Sequence, residues 1–412
     1  MKSRKQVIVI GGGASGILAA ITAARHGAKV TILERNPRIG KKILATGNGR
    51  CNYTNINTNV SCYQGTNPRF AYSALAHFSV QDTIDFFEKL GIIPKIEDLG
   101  KVFPRSEQAS SVLDVLRYEL QELKVNILCD SYVRLIKPHE NSLVVILENG
   151  AEFKADSVVL AAGGKAMPSS GSDGNAYQLA VQLGHTLIPP FPALVQLKLE
   201  GAFFKQIEGV KFVGTAELLD RNKSLMVERG DILFANYGVS GPPILQISRK
   251  AGELLQQGKE AILKIKMIDT MSQEELRELL NRRFKNSGRK SLEFSLVGLI
   301  NKRLIPVLLK QAGFENIKCA ANSITAQQRE QLLNILQDWR FTIRGTKSWP
   351  SAQVTAGGIA TDQINPNTME SKVVKGLFFA GEIIDIDGLC GGFNLQWAWS
   401  SGYVAGLNAA IN

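Results

Sequence analysis

Gln6–Glu34 reads QVIVIGGGASGILAAITAARHGAKVTILE, and the order of its parts decides the fold. Gln6–Ile10 is a short β-branched run suited to a strand buried inside a parallel sheet. Gly11-Gly12-Gly13-Ala14-Ser15-Gly16 follows and fits G-x-G-x-x-G. Ile17–Arg25 carries Ala and Leu at helical density, and Gly27 is placed to end that helix. Ala28–Leu33 is a second strand, with Glu34 at its end. Each piece has a mechanical task. Gly11 permits the tight turn, Gly13 lets backbone N–H groups approach a pyrophosphate, and Gly16 lets helix and strand pack closely. The helix N-terminus adds partial positive charge for the phosphates. Glu34, 18 residues beyond Gly16, is spaced to accept hydrogen bonds from a ribose. An acid there favours a free 2′-hydroxyl, as in NAD or FAD, over NADP, although Arg35 beside it weakens that preference. The plainer alternative is a Gly-rich turn in an unliganded α/β domain; strand, glycines, helix, strand and acid in sequence favour the dinucleotide site.

Later segments choose among dinucleotides. Lys41–Asn52 (KKILATGNGRCN) is a basic, Gly-rich loop where an NAD dehydrogenase would continue with another βα unit. Asp156–Leu160 followed by Ala161-Ala162-Gly163-Gly164 is a buried strand entering a small-residue turn, which allows close backbone approach to a ligand. Near the C-terminus, Gly376–Glu382 (GLFFAGE) reads as a strand with a Gly-acid end, and Gly388–Asn394 (GLCGGFN) opens a last helix, Leu395 to Ala410. That helix N-terminus would stabilise negative charge on a reduced flavin ring. Each segment alone could be an ordinary strand end; their order favours an FAD fold split by an insertion. The candidate cofactor contacts are Gly11, Gly13, Ala14, Ser15, Gly16, Glu34, Arg35, Lys42, Gly49, Arg50, Cys51, Asn52, Ala162, Gly163, Gly164, Gly381, Glu382, Gly392, Phe393 and Asn394.

These motifs carry a resemblance. The chain resembles the BaiN-like family of bacterial NAD(P)/FAD-dependent oxidoreductases in GGGASG, Thr46–Asn52 (TGNGRCN), Gly163–Gly174 (GGKAMPSSGSDG) and Pro192–Gln196 (PALVQ). Tyr237–Pro242 (YGVSGP), Val354–Gly358 (VTAGG) and the closing GLFFAGEIIDIDGLCGGFNLQWAWSSG extend it across nearly the whole length. The resemblance implies an α/β fold: a Rossmann-type, glutathione-reductase-like FAD domain interrupted by a β-barrel-like domain and a small helical domain. It also implies that the backbone of Val133 contacts adenine. It says little about the substrate.

On this reading residues 1–190 and 351–412 form the FAD domain, 191–271 with 340–350 the barrel, and 272–339 the helical part. Residues 70–90 are expected to be one or two helices ended by Gly91, with a hairpin over Ile93–Phe103 and a helix over Glu107–Leu123. Pro189-Pro190-Phe191-Pro192 reads as a breaker cluster at the first boundary. The formal charge of +11 is concentrated: residues 191–350 hold 25 basic and 16 acidic side chains, and residues 281–310 hold eight basic residues against Glu293. A solvated helix face is preferred for that stretch over a docking surface for tRNA or an acidic partner, because it has one aromatic in Arg282–Lys290 and no RNA-binding signature.

Five scattered cysteines without a C-x-x-C pair suit a reducing compartment and not a disulfide scaffold. Lys2, Arg4 and Lys5 ahead of an apolar run imitate a signal peptide, but Gly11–Gly13 interrupts it, and no run of about 18 apolar residues suggests a membrane span, so a cytoplasmic location is expected. The four histidines show no ligand spacing, so no metal is expected. No catalytic residue is chosen outright. Arg50, Cys51 and Asn52 are the candidates from the flavin loop, Tyr237 is a weak acid/base candidate, and Cys390 is a conceivable redox partner of Cys51. Gly238–Pro242 lacks the register of a nucleophile elbow and is expected to form a loop closing over the flavin. With no second G-x-G-x-x-G, NAD(P)H would dock transiently as reductant. The leading expectation is an FAD-dependent oxidoreductase reducing an activated C=C or carbonyl of a small molecule. The alternatives are a flavoprotein that binds or modifies tRNA, and a redox sensor without turnover.

Overall fold

The computed structural model describes residues 4–411, so Lys2 and Asn412 lie outside the described residues. Its first elements are β1 (Gln6–Ile10), α1 (Ala14–Arg25) and β2 (Lys29–Leu33), the order read from the sequence. Val7, Ile8, Val9 and Ile10 are all buried, as a strand covered on both faces requires. Two helices, Ala71–His77 and Val80–Lys89, follow, the second started by a capping box between Ser79 and Asp82. The hairpin pairs Pro94–Ile96 with Lys101–Pro104. Helix α2 (Ala109–Glu122) leads to β3 (Asn126–Leu128). An antiparallel sheet of β4 (Val133–His139), β5 (Ser142–Leu147) and β6 (Glu152–Ala155) precedes β7 (Ser157–Leu160).

Strand β8 (Leu187–Ala193) corrects one expectation: the proline cluster is not a breaker but lies within a strand. It belongs to a two-stranded ribbon, where every strand is an edge and a missing N–H is tolerated. The compact unit that β8 belongs to ends at Pro192 and resumes at Ala352, and Ala193–Ser351 forms a second.

The second unit contains a closed barrel. In chain order its strands are β9 (Leu197–Leu199), β10 (Lys211–Asp220), β11 (Lys223–Ala235), β12 (Gly238–Ser240), β13 (Ile262–Lys266) and β14 (Trp339–Thr346). Gly238–Ser240 is therefore a barrel strand and not the expected loop, and Gly241 leads straight into α3 (Pro242–Gln256), with proline at its first turn. Trp339, Phe341 and Ile343 of β14 point into the core with Phe234, Leu263 and Ile265. Helices α4 (Gln273–Lys285) and α5 (Ala326–Gln337) begin with the capping boxes Ser272/Glu275 and Thr325/Gln328. Their buried faces, Leu276, Leu280 and Phe284 on one and Leu332, Leu333 and Leu336 on the other, belong to the same apolar core as the barrel. The boundaries expected at 271/272 and 339/340 thus fall inside one compact unit.

The chain returns to the first unit with β15 (Val354–Ile359), which pairs with β8, and β16 (Leu377–Phe379). The central sheet is then complete in the order β16-β7-β1-β2-β3, all parallel. The last helix, α6 (Phe393–Ile411), crosses α1 at backbone distance. A Cβ on Gly402 would lie 2.4 Å from the Ser15 carbonyl oxygen, and one on Gly406 would lie 2.2 Å from that of Ala19. No described helix is long and apolar enough to cross a membrane.

Because a side chain at Gly406 meets backbone that has no room to yield, Gly406→Ala should destabilise the protein by about 1–3 kcal/mol. Urea unfolding checks this, and an unchanged midpoint would contradict the close crossing.

Candidate functional site

At one end of the site, α1 begins after Gly13, an extended N-cap with no side-chain cap. A Cβ at Gly13 would meet nothing within 4 Å, which leaves room beside the start of α1 for a ligand to approach the backbone. The other glycines are packed. Gly11 has φ +102° and a Cβ there would lie 2.7 Å from the Ala161 oxygen, while one at Gly16 would lie 1.9 Å from the Gly11 oxygen. Glu34 is buried and accepts hydrogen bonds from the Gly12 N–H (2.8 Å), the Asn36 N–H (2.8 Å) and Asn36 Nδ2 (2.8 Å). Arg35 is ion-paired with Asp173, and its guanidinium lies 5.2 Å from the centre of the Tyr132 ring. Val133 is buried at the start of β4, just after Ser131, whose N–H donates to the Glu34 carbonyl at 2.8 Å.

At the other end, residues of the TGNGRCN stretch form a loop with positive φ at Gly47, Asn48, Gly49 and Cys51, which explains its glycine and amide content. The loop meets the start of α6. Asn55 Nδ2 donates to the Gly391 oxygen at 2.8 Å, and a Cβ on Gly392 would lie 2.4 Å from the Thr54 oxygen and 2.9 Å from Asn52 Oδ1. Asn52 Oδ1 accepts from the Val102 N–H at 3.1 Å. Phe393 is buried in the first turn of α6, and Asn394 staples its own loop by bonding both the N–H and the carbonyl of Gly388, each at 2.8 Å. Arg50 stacks 4.1 Å from the Phe103 ring centre and pairs with Glu97 at 2.5 Å and Glu107 at 3.5 Å. Its charge is thus already matched, and hydrogen bonds from Arg50 and Lys95 hold the Glu97 carboxyl below the usual range.

Between these ends, Lys42 Nζ lies 2.5 Å from Glu382 Oε2, and Glu382 Oε1 accepts from the Thr355 N–H at 2.7 Å. Thr355 Oγ1 in turn accepts from the N–H groups of Lys165 (2.7 Å) and Ala166 (2.9 Å), just beyond Ala162, Gly163 and Gly164. Gly381 closes the set: its N–H donates to Ser401 at 2.9 Å, its carbonyl accepts from Trp397 at 3.1 Å, and a Cβ on it would lie 2.5 Å from Ser15 Oγ. Thr355 is the organising residue that the sequence reading passed over, because a buried β-branched residue within VTAGG looks like any other strand position. Tyr177 was also passed over. Its buried hydroxyl has no hydrogen-bond partner and sits 3.1 Å from where a Gly164 Cβ would be.

The remaining candidates separate. Burial pushes the Cys51 thiol up to about 12, and burial raises the Cys390 thiol as well. No disulfide joins any of the five cysteines. Tyr237 belongs to the inserted unit, with Lys347 Nζ 4.6 Å from its ring centre. Among the described residues no group of three or more His, Cys, Asp or Glu side chains is placed to hold a metal ion.

A parallel sheet, a glycine turn, an uncapped helix and an acid at the end of β2 define a Rossmann-type dinucleotide-binding domain. The chain belongs to the family described as HI0933-like protein Rossmann domain, which matches residues 5–408. It is 42% identical over 404 residues to a 3-dehydro-bile acid delta(4,6)-reductase of Clostridium scindens, covering 98% of each chain. It is also 33% identical over 413 residues to a ribosomal RNA dihydrouridine synthase of Haemophilus influenzae, covering 99% of each. A ribosomal RNA dihydrouridine synthase of Escherichia coli is 31% identical over 402 residues, with 97% of this chain and 96% of that one covered.

The cysteine environments carry a prediction with a definite sign. Below pH 9 the folded and unfolded chains both hold the Cys51 proton, whereas between about pH 9 and about pH 12 only the folded chain does. Native Cys51 should therefore resist alkylation at pH 8, and Cys51→Ala should reduce the loss of stability that the protein suffers as pH rises through that window. Rapid native-state alkylation of Cys51 at pH 8 would contradict its burial.

Proposed function

We propose that this protein is an FAD-dependent reductase acting on a carbon–carbon double bond conjugated to a carbonyl. The observation that carries the reading is a Rossmann turn with an uncapped helix, against which Gly381 packs, with Glu382 and Thr355 tying in the Gly163-Gly164 turn, while at the other end of the site the Asn52 loop meets Gly391 and Gly392 at the start of α6. The residues fit the cofactor. The amides from Gly13 to Gly16 would hold the pyrophosphate. A carboxylate offers about four acceptor positions, and Glu34 uses three, which leaves one for a ribose hydroxyl. Arg35 is occupied by Asp173 and so is not held ready for a 2′-phosphate. Asn52, Gly392 and the first turn of α6 would face the ring end, where the helix terminus favours negative charge. Bound FAD would supply hydride transfer from NADH or NADPH to the acceptor carbon.

The relatives support the reaction class. A 3-dehydro bile acid with double bonds at positions 4 and 6 is a conjugated dienone, and forming dihydrouridine removes a double bond conjugated to the uracil 4-carbonyl. In such acceptors hydride adds at the electron-poor end of the conjugated system, the β carbon of an enone or the δ carbon of a dienone, and a proton completes the reduction.

A second reading concerns what carries that double bond. The excess of 25 basic over 16 acidic side chains in residues 191–350 favours a polyanion, and hence uracil within RNA, over a free sterol.

The purified protein should be yellow, NADH or NADPH should bleach it without oxygen, and a conjugated acceptor should restore the colour. A colourless protein that fails to bind added FAD would sink the proposal. Restoration by a 3-oxo-Δ4,6-steroid or by uridine-containing ribosomal RNA separates the two acceptors. Glu34→Gln, which can keep only one acceptor oxygen, should weaken FAD binding about tenfold, as read by fluorescence titration.

A further inference from the structure

Part of the basic stretch in the inserted unit is accounted for by local structure, and part of it is not. Arg283 donates to the backbone oxygens of Ser295 and Val297, which fastens the end of α4 to the following segment. Arg282, Arg283 and Lys285 all lie in the last turn of α4, where they offset the negative end of its dipole. Arg282 and Lys290 are exposed and form no ion pair with the described residues. Both line a cavity of about 390 Å³ together with Asn286, Ser287 and Phe294.

Two features of that cavity are unlike a solvated helix face. Ser287 is 5% exposed, and its hydroxyl is buried without a hydrogen-bond partner. A hydroxyl in that state carries a desolvation cost that a ligand atom in the cavity would relieve. Phe294 is 59% exposed on the same wall, an aromatic ring offered to solvent beside unmatched cations.

We infer that this cavity seats one unpaired nucleotide of an RNA strand. Its phosphate lies with Arg282 and Lys290, its base stacks on Phe294, and the Ser287 hydroxyl and Asn286 amide hydrogen-bond its polar edge. The volume is at the lower end of the range for small-ligand pockets, which suits one nucleotide and not a duplex. The inference rests on the reading of RNA as the carrier of the reducible ring, and it adds a binding site outside the dinucleotide fold.

The test uses the full-length protein and a fluorescein-labelled 12-nucleotide oligouridylate, followed by anisotropy at several salt concentrations. Arg282→Glu and Lys290→Glu should each lower affinity at least tenfold and make the slope of log affinity against log salt shallower by about 0.7, the share of one phosphate on a single strand. Phe294→Ala should cost about 5- to 150-fold with the salt slope unchanged, a split that general electrostatics does not produce. Lys310→Glu, with the same charge change on the same segment but outside the cavity, should cost less than threefold. Unfolding midpoints within a few degrees of the parent show that the variants are folded. If the parent binds the RNA and these variants bind it equally well, the site is elsewhere, and this inference falls while the RNA reading stands. If the parent does not bind RNA while a steroid dienone reoxidises its flavin, the RNA reading falls with it. Competition by polyglutamate as strong as by unlabelled RNA, with Phe294→Ala neutral, would reduce the cavity to a cationic patch and also overturn the inference.

Discussion

The backbone contact between the first and last helices is the constraint on which the first unit depends. Strand β16 must lie beside β7 to complete the sheet, although the inserted unit separates them in sequence. Gly402 and Gly406 let α6 touch the carbonyls of Ser15 and Ala19. The same crossing brings Gly381, Trp397 and Ser401 against the glycine turn. A helix with larger residues at those positions would stand off from α1 and carry the 388–394 loop away from the 46–55 loop. Packing density and site geometry are here the same problem.

The legible part of the sequence was local. Strand, glycines, helix and acid between Gln6 and Glu34 each have a physical signature within a few residues, and the structure places them as read. The rest depended on partners distant in sequence. Thr355 orders the Lys165 and Glu382 loops, but nothing around it marks its hydroxyl as more than a strand residue. Prolines at 189, 190 and 192 read as a break because propensity assumes a central strand, and a two-stranded ribbon removes that assumption. Gly238–Ser240 looked like a loop because glycine and serine are poor strand formers, and pairing on both sides within the barrel overrode that preference. In the helical part, capping boxes at Ser272 and Thr325 were present in the sequence, but the apolar core shared with the barrel had no local sign.

Electrostatics divides the molecule in a way that composition alone hides. Around the dinucleotide fold, charges are matched in place: Arg35 by Asp173, Lys42 by Glu382, and Arg50 by Glu97 and Glu107. Cys51 is buried and Cys390 half-buried, and burial raises both thiols, which disfavours a thiolate at either position. The net positive charge instead collects in the inserted unit, where among the described residues Arg282 and Lys290 form no ion pair.

The ribbon formed by β8 and β15 has a consequence for how such a protein can change over time. The chain leaves the first unit along one strand of that ribbon and re-enters along the other, so the two junctions are already side by side. To the first unit, the whole inserted segment is a single excursion whose ends are held together by that ribbon. The entropy of closing such an excursion rises only slowly with its length. Replacement of the cassette by a longer, shorter or differently charged one would leave the redox fold nearly undisturbed.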